Sequence, residues 1–207
     1  MTDTAPDPPR PERVSVQLQR WLDGDGEKTV DGLVSLFGHN GFALLFVILL
    51  GVPALPLPTA GVTHVFEIIA ILLALQLVLG RSDIWLPNRW RSLQLAGPSQ
   101  RKFLGGLLKV ISWLERFSRP RLRFLFEHRA SDVVFGVLVI VGSVAAFVAP
   151  PFSGLDTLPA LGVVLLALAV LLQDALGIVL ALAAMIAGIS LEVVLGRAAI
   201  HGVSGLF

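Results

Sequence analysis

Uncharged, largely apolar stretches separated by short polar interruptions dominate this chain. Residues 41–60 carry no charged side chain, and neither do residues 68–80, 133–155, 157–173 and 175–191. The second stretch extends back to Val62 once His64 and Glu67 are included. A membrane-spanning helix needs roughly 20 residues, with a range of about 17 to 25. Five segments therefore qualify as candidate spans, two of them near the lower limit. For short segments a deep re-entrant helix is the alternative to a full crossing.

Ahead of these stretches the pattern is amphipathic. Val14, Leu18, Trp21 and Leu22 share one helical face, and so do Val30, Leu33, Val34 and Phe37. Asp23, Gly24, Asp25 and Gly26 separate the two groups. The pattern predicts two short amphipathic helices at a membrane surface. Residues 1–12 hold four prolines and no apolar period, which predicts disorder. That start lacks a basic stretch followed by an apolar one, so no cleavable signal peptide is expected and internal segments drive insertion.

Composition agrees with lipid as the solvent. Hydrophobic residues make up 55% and charged residues 15% of the 207, with mean hydropathy +0.79. A soluble domain carries nearer a quarter charged residues. The net charge of +1 gives no reason to expect nucleic acid. Its distribution is more telling. Residues 81–129 hold eleven Lys or Arg against Asp83, Glu115 and Glu127. By the positive-inside rule that region is cytoplasmic, and the flanking segments form hairpins entered from that side. Within it Phe103, Leu104, Leu107, Leu108, Ile111 and Leu114 line one helical face. Lys102, Lys109, Ser112 and Arg116 line the other. Two arrangements fit: a helix lying on an anionic leaflet, with Arg101, Lys102, Lys109 and Arg116 on headgroups, or a helix packed on its own protein.

An offset of 93 positions superposes two parts of the chain. Pro58 and Gly61 fall on Pro151 and Gly154, Phe42 on Phe135, and Leu72, Leu73, Ala74, Leu75 and Leu79 on Leu165, Leu166, Ala167, Leu168 and Leu172. Apolar matches are common in membrane sequences, so the paired Pro-x-x-Gly carries the inference of a repeat. Proline removes a backbone donor and clashes with the preceding turn, so Pro53, Pro56, Pro58, Pro150 and Pro151 interrupt helices. Gly61 and Gly154 allow a tight reversal. Interrupted segments at matched places in two halves point to a transport site. Ordinary hairpin turns at the outer surface satisfy the same pattern.

The expected fold class is an all-α membrane protein: two repeated broken or re-entrant helical hairpins plus a C-terminal transmembrane helix, with amphipathic surface helices. Its parts are a disordered N-terminus (1–12), surface helices (13–40), membrane repeat 1 (41–80), the basic linker with its amphipathic helix (81–130), membrane repeat 2 (131–174), and the C-terminal transmembrane helix and tail (175–207).

Few side chains carry chemistry. Thr63, His64 and Glu67 follow the first break, and Asp156 and Thr157 follow the second. His64 and Glu67, three apart, share a helical face. An ionisable residue inside a span is a functional hypothesis by default. One histidine with two carboxylates suits proton relay or cation binding, since histidine titrates near neutral pH. Against this, Thr63 and Asp156 are expected as helix N-caps. The candidate transport or ion site is therefore Pro58, Gly61, Thr63, His64, Glu67, Pro151, Gly154, Asp156 and Thr157. Gln76 and Gln173 are expected to hydrogen-bond between helices, and Asp174 and Glu192 to reach water. Gly177, Ala181, Ala184 and Gly188 form a small-residue stripe suited to close packing, within one protomer or between two.

The chain has no cysteine, which excludes disulfides, thiolate metal sites and cysteine nucleophiles. It has no P-loop, G-x-G-x-x-G, H-E-x-x-H or G-x-S-x-G motif. No enzymatic activity, catalytic residue, metal or cofactor is expected.

Five runs carry a resemblance. Pro56-Leu57-Pro58, then Ala74-Leu75-Gln76-Leu77-Val78-Leu79-Gly80-Arg81 and Trp85-Leu86-Pro87, with Arg119-Pro120-Arg121 and Thr157-Leu158-Pro159-Ala160-Leu161 later, resemble the exopolysaccharide synthesis ExoD family of bacterial membrane proteins. The likeness covers about residues 28–196. It departs at residues 61–67, where the family has a glycine-rich apolar turn, and after Asp174, where Ala175 stands in place of glycine. The resemblance implies a part in exopolysaccharide production or export at the bacterial inner (plasma) membrane, and supplies no catalytic residues. Expected partners are membrane lipids and either a second copy of the chain or the exopolysaccharide-synthesis machinery. A small transporter or channel is the first functional expectation. A non-catalytic scaffold that binds headgroups or a partner enzyme is the alternative.

Overall fold

Thr29 starts the ordered packing near the N-terminus. Its Oγ1 accepts a hydrogen bond from the Gly32 amide at 3.2 Å, capping helix α2 (Val30–Phe37). Asp31 lies in that first turn, where a negative charge suits the helix dipole. Helix α1 (Val14–Asp23) precedes it, and residues 24–26 form the expected bend. The computed structural model describes residues 12–55, 63–81, 84–95, 97–118, 128–149 and 154–204. Among these, regular structure is helical, apart from one antiparallel bridge between Thr29 and Gln94.

The apolar part consists of α3 (Gly41–Leu50), α4 (Thr63–Val78), α7 (Arg129–Val148), α8 (Thr157–Leu172) and α9 (Ala175–Ser204). The linker carries α5 (Asn88–Arg91) and α6 (Pro98–Phe117). Helix α3 uses only the first half of its uncharged stretch, since Pro53 lacks an amide and residues 51–55 are a turn. At about 1.5 Å per residue, α4 and α8 are each roughly 24 Å long, short of a ~30 Å hydrocarbon core. Two helices are long and apolar enough to cross a membrane, over Arg129–Val148 and Ala175–Ala198.

The two hairpins exchange partners: α4 packs on α7, and α3 on α8. Helix α9 packs most extensively on α8. Small residues make these contacts close. A Cβ added at Gly136 would lie 3.1 Å from the Ala74 carbonyl oxygen on α4. One at Gly162 would lie 2.8 Å from the Met185 Cβ, and one at Gly188 2.8 Å from the Pro159 nitrogen. The small-residue stripe of α9 therefore works within the chain. Gly177, Ala181 and Gly188 lie on it, with Met185 buried where the spacing suggested Ala184.

Apolar residues cover the outer faces of the bundle as well as its interior. On α4, Val65, Ile68, Leu72 and Leu75 are exposed, as is Leu79 just past its end, whereas Glu67 is fully buried. On α7 the exposed stripe is Val134, Val137, Val141, Val144 and Val148, and the buried face includes Gly136, Gly142 and Ser143. Lipid, not water, is the solvent that such outward faces fit.

Gln76 and Asp156 take roles different from those expected, and Asp174, still partly exposed, has a capping role besides. Gln76 does not join two helices: its Oε1 accepts from the Trp85 amide at 2.8 Å and its Nε2 donates to the Trp85 carbonyl at 3.2 Å. That clamp ties the segment before α5 to the end of α4. It links two runs that carry the family resemblance. Gln76→Ala should cost about 1–2 kcal/mol, from two modest hydrogen bonds, and lower the thermal midpoint in detergent. Asp174 caps α9 through its Oδ1, which accepts from the Leu176 amide at 3.1 Å. Asp156 precedes α8 but makes no side-chain cap, because its own backbone is already helical at φ −58° and ψ −28°.

Helix α6 is packed on its own protein. Leu104, Leu107 and Ile111 are buried, and α1 lies against the helix. The Ser15 amide donates to Glu115 Oε1 at 3.0 Å, and its hydroxyl bonds the other carboxylate oxygen. Ser118 at the end of α6 donates to the Leu172 carbonyl at 3.4 Å, and Phe103 near its start lies against Gly51.

Candidate functional site

Helix α4 opens on Thr63, which is only 2% exposed. The next residue, His64, lies one turn before Glu67, so the two side chains meet on one face. His64 Nδ1 and Glu67 Oε2 are 2.8 Å apart. The His64 side chain is 25% exposed and that of Glu67 0%. The imidazole therefore stands between the carboxyl group and the surface, with its ring 5.1 Å from that of Phe147 on α7. The second oxygen, Glu67 Oε1, is buried and has no hydrogen-bond partner.

A second orphan lies on α7. Ser143 is 0% exposed and its Oγ is also buried without a partner. Gly136 faces Ala74 and Val78, and Phe147 faces His64, so α4 and α7 run antiparallel. Ser143 is seven residues from Gly136 and four from Phe147, so it shares their face. Counting back from Phe147 sets it level with residues 67–68 of α4. Two unsatisfied polar groups thus lie at one depth of an apolar bundle. Each such group carries a desolvation cost of about 1–3 kcal/mol, more for a charge.

Two more carboxylates lie farther off, at the start of α8 and on α9. Asp156, ahead of α8, is within electrostatic reach of both Glu67 and Glu192. Gly188 against Pro159 brings α9 to the start of α8, and Glu192 follows one turn later. Glu192 Oε1 is buried and unpartnered, so this residue does not simply reach water as expected. Glu192 and Ser143 are the members that sequence reasoning missed. The four-residue spacing of Glu192 from the packed Gly188 was the available signal.

Of the other expected site residues, Gly154 adopts φ +69°, the left-handed conformation that suits a reversal. Thr157 opens α8 and is half-buried. Pro58, Gly61 and Pro151 lie outside the described residues, as does most of residues 1–12. Arg101, Lys102, Lys109 and Arg116 are exposed on α6. Beside them Val110, Trp113 and Phe117 form an exposed apolar stripe, with the two rings 5.1 Å apart. No group of three or more His, Asp or Glu side chains among the described residues is arranged to hold a metal ion.

At the opposite end of the bundle lies a cavity of about 760 Å³. Asn40, Ser131, Asp132 and Gln173 give it a polar rim, and Leu138 and Leu166 are among its apolar walls.

Comparison with known proteins sets this geometry in a family. The chain is 29% identical over 154 residues to an uncharacterized protein of Synechocystis sp., covering 73% of this chain and 72% of that protein. It is 31% identical over 147 residues to Protein ExoD of Rhizobium meliloti, covering 70% of this chain and 61% of that protein's length. No solved structure matches the chain. Residues 14–194 match the family described as exopolysaccharide synthesis, ExoD, nearly the whole of the described helical part. The chain belongs to the ExoD family.

Proposed function

We propose that this protein is a multi-pass protein of the bacterial inner membrane that supports exopolysaccharide synthesis or export as a small transporter or channel. Its basic linker faces the cytoplasm, and it has no enzymatic activity of its own. Its site lies at the ends of α4 and α8 that follow the two breaks. The observation that carries this reading is a fully buried glutamate in a helix whose outward face is apolar. A buried carboxyl costs several kcal/mol unless something compensates, and function is the usual reason to retain one in a membrane segment. The reading of two sister halves draws support from α4 and α8, 16 residues each, whose starts differ by 94 positions against the sequence offset of 93. The crossed pairing of α3 with α8 and α4 with α7 supports it too.

The test is polymer output in a producing strain. Glu67→Gln and Asp156→Asn should each abolish it while the protein level in the membrane stays normal. Normal output from both variants removes the site.

The exposed Val110, Trp113 and Phe117 beside four basic side chains favour a second reading, a scaffold that contacts headgroups or an enzyme of the polymer machinery. Each basic residue near an anionic surface contributes about 1 kcal/mol. On this reading, reversing Arg101, Lys102 and Lys109 together should reduce output more than Glu67→Gln does. Cross-linking from α6 should also recover headgroups or one protein partner, and recovery of neither counts against it.

A further inference from the structure

We propose that the transported or coupling ion at this site is the proton, carried by Glu67 along a path from His64 past Ser143 toward the cavity at the far end of the bundle. This deepens the transport reading and rests on it. Three observations carry it: the 2.8 Å contact of His64 with a fully buried carboxyl, the unpartnered Glu67 Oε1, and the unpartnered Ser143 Oγ at the same depth.

The donor set of the described residues favours a proton over calcium or magnesium. Oε2 of Glu67 is engaged by His64, so the carboxyl group has one free oxygen. Calcium takes about 6–8 oxygen ligands and magnesium a near-octahedral shell. No convergent set of three acidic or histidine side chains is available among the described residues. A proton needs one acceptor at a time.

The step balances with these groups alone. With Glu67 ionised, His64 Nδ1–H donates to Oε2. A proton from water binds Nε2, at the exposed edge of the ring, and the Nδ1 proton passes to Oε2. The product is a neutral imidazole and a neutral carboxyl. Rotation about the Cγ–Cδ bond then turns the acid O–H toward Ser143, whose hydroxyl accepts it and leads onward. Ser143 passes its own proton on to water of the far cavity when the seal opens, which restores the carboxylate, and exchange of the imidazole with water restores the Nδ1–H tautomer. Among the described residues, the other ionisable group within electrostatic reach of Glu67 is Asp156 ahead of α8, and Glu192 on α9 is within reach of Asp156. Helix α3 contributes none, and the face of α7 contributes Ser143 and Phe147.

The onward path is closed in this conformation. Counting from the Gly136 and Gly142 contacts sets Leu73, Val139 and Leu166 at one level, and all three are buried. Leu166 is also a wall of the 760 Å³ cavity. An apolar seal of one layer therefore separates Glu67 from a vestibule that opens at the other end.

The experiment uses the full chain in liposomes with a pH-sensitive dye inside and a potassium diffusion potential imposed by valinomycin. The unaltered protein should acidify the lumen. Glu67→Gln should fall to the protein-free rate, and Ser143→Ala should slow the flux by about tenfold, the effect of losing one relay hydrogen bond. Infrared difference spectra on changing pH should contain a protonated-carboxyl band that Glu67→Gln removes. Equal flux from the unaltered protein and Glu67→Gln, or no flux from either, overturns the proton assignment. If Glu67→Gln still abolishes polymer output in cells, the transport site stands without protons. If output survives, the site falls as well.

Discussion

Glu67→Gln is expected to leave the protein at least as stable as the parent while polymer output disappears. The substitution keeps shape and volume and removes a charge that has no cationic partner beyond His64 among the described residues. A neutral amide of the same shape escapes the desolvation penalty of a buried ion, several kcal/mol, and keeps a hydrogen bond to His64. The amide still bonds His64 from the side of Oε2. Its other end still faces the Ser143 level, where it offers a polar atom to the orphaned hydroxyl. Thermal unfolding in detergent should therefore shift upward or stay level. Opposed effects on stability and output are the signature of a residue kept for function. Parallel loss of both would make Glu67 a structural residue and remove the site.

Gly162→Leu is expected to prevent stable folding. The first added atom would lie 2.8 Å from the Met185 Cβ and 2.9 Å from the Met185 Cα and nitrogen. Backbone atoms of a 30-residue helix cannot turn aside as a side chain can, so α9 must move away from α8. Overpacking typically costs about 1–3 kcal/mol and more where backbone is the obstacle, a large part of a stability of about 5–15 kcal/mol. The separation would also carry Glu192 from Asp156. Gly105→Ala on α6 is the control. A Cβ there meets nothing within 4 Å, and helix propensity alone should stabilise the protein by up to about 1 kcal/mol. Thermal midpoints in one detergent compare the two. Equal effects would show that α8 and α9 do not pack as described.

Several local expectations were legible because they depend on neighbours along the chain. The faces of α1 and α2, the bend between them, the basic face of α6, and the His64–Glu67 pair all follow from residues three or four apart. The turn at Gly154 follows from a residue without a Cβ. Expectations about isolated polar residues fared worse. Gln76 clamps Trp85 instead of a neighbouring helix, Asp156 does not cap α8, and Glu192 is drawn into the bundle. Each of these side chains has several partners within chain reach, and packing selects among them.

Periodicity and composition alone determined that the chain is helical, that its helices present apolar faces, and that a histidine and a carboxylate share one turn. These follow from covalent spacing and from the cost of placing apolar surface in water. Only the tertiary structure decided that Ser143 lies level with Glu67, that Asp156 comes within electrostatic reach of both Glu67 and Glu192, and that α6 rests on α1 and not on lipid alone. Those outcomes depend on which helices meet and at what register. Contacts between small residues far apart in sequence set that register, at Gly136, Gly162 and Gly188.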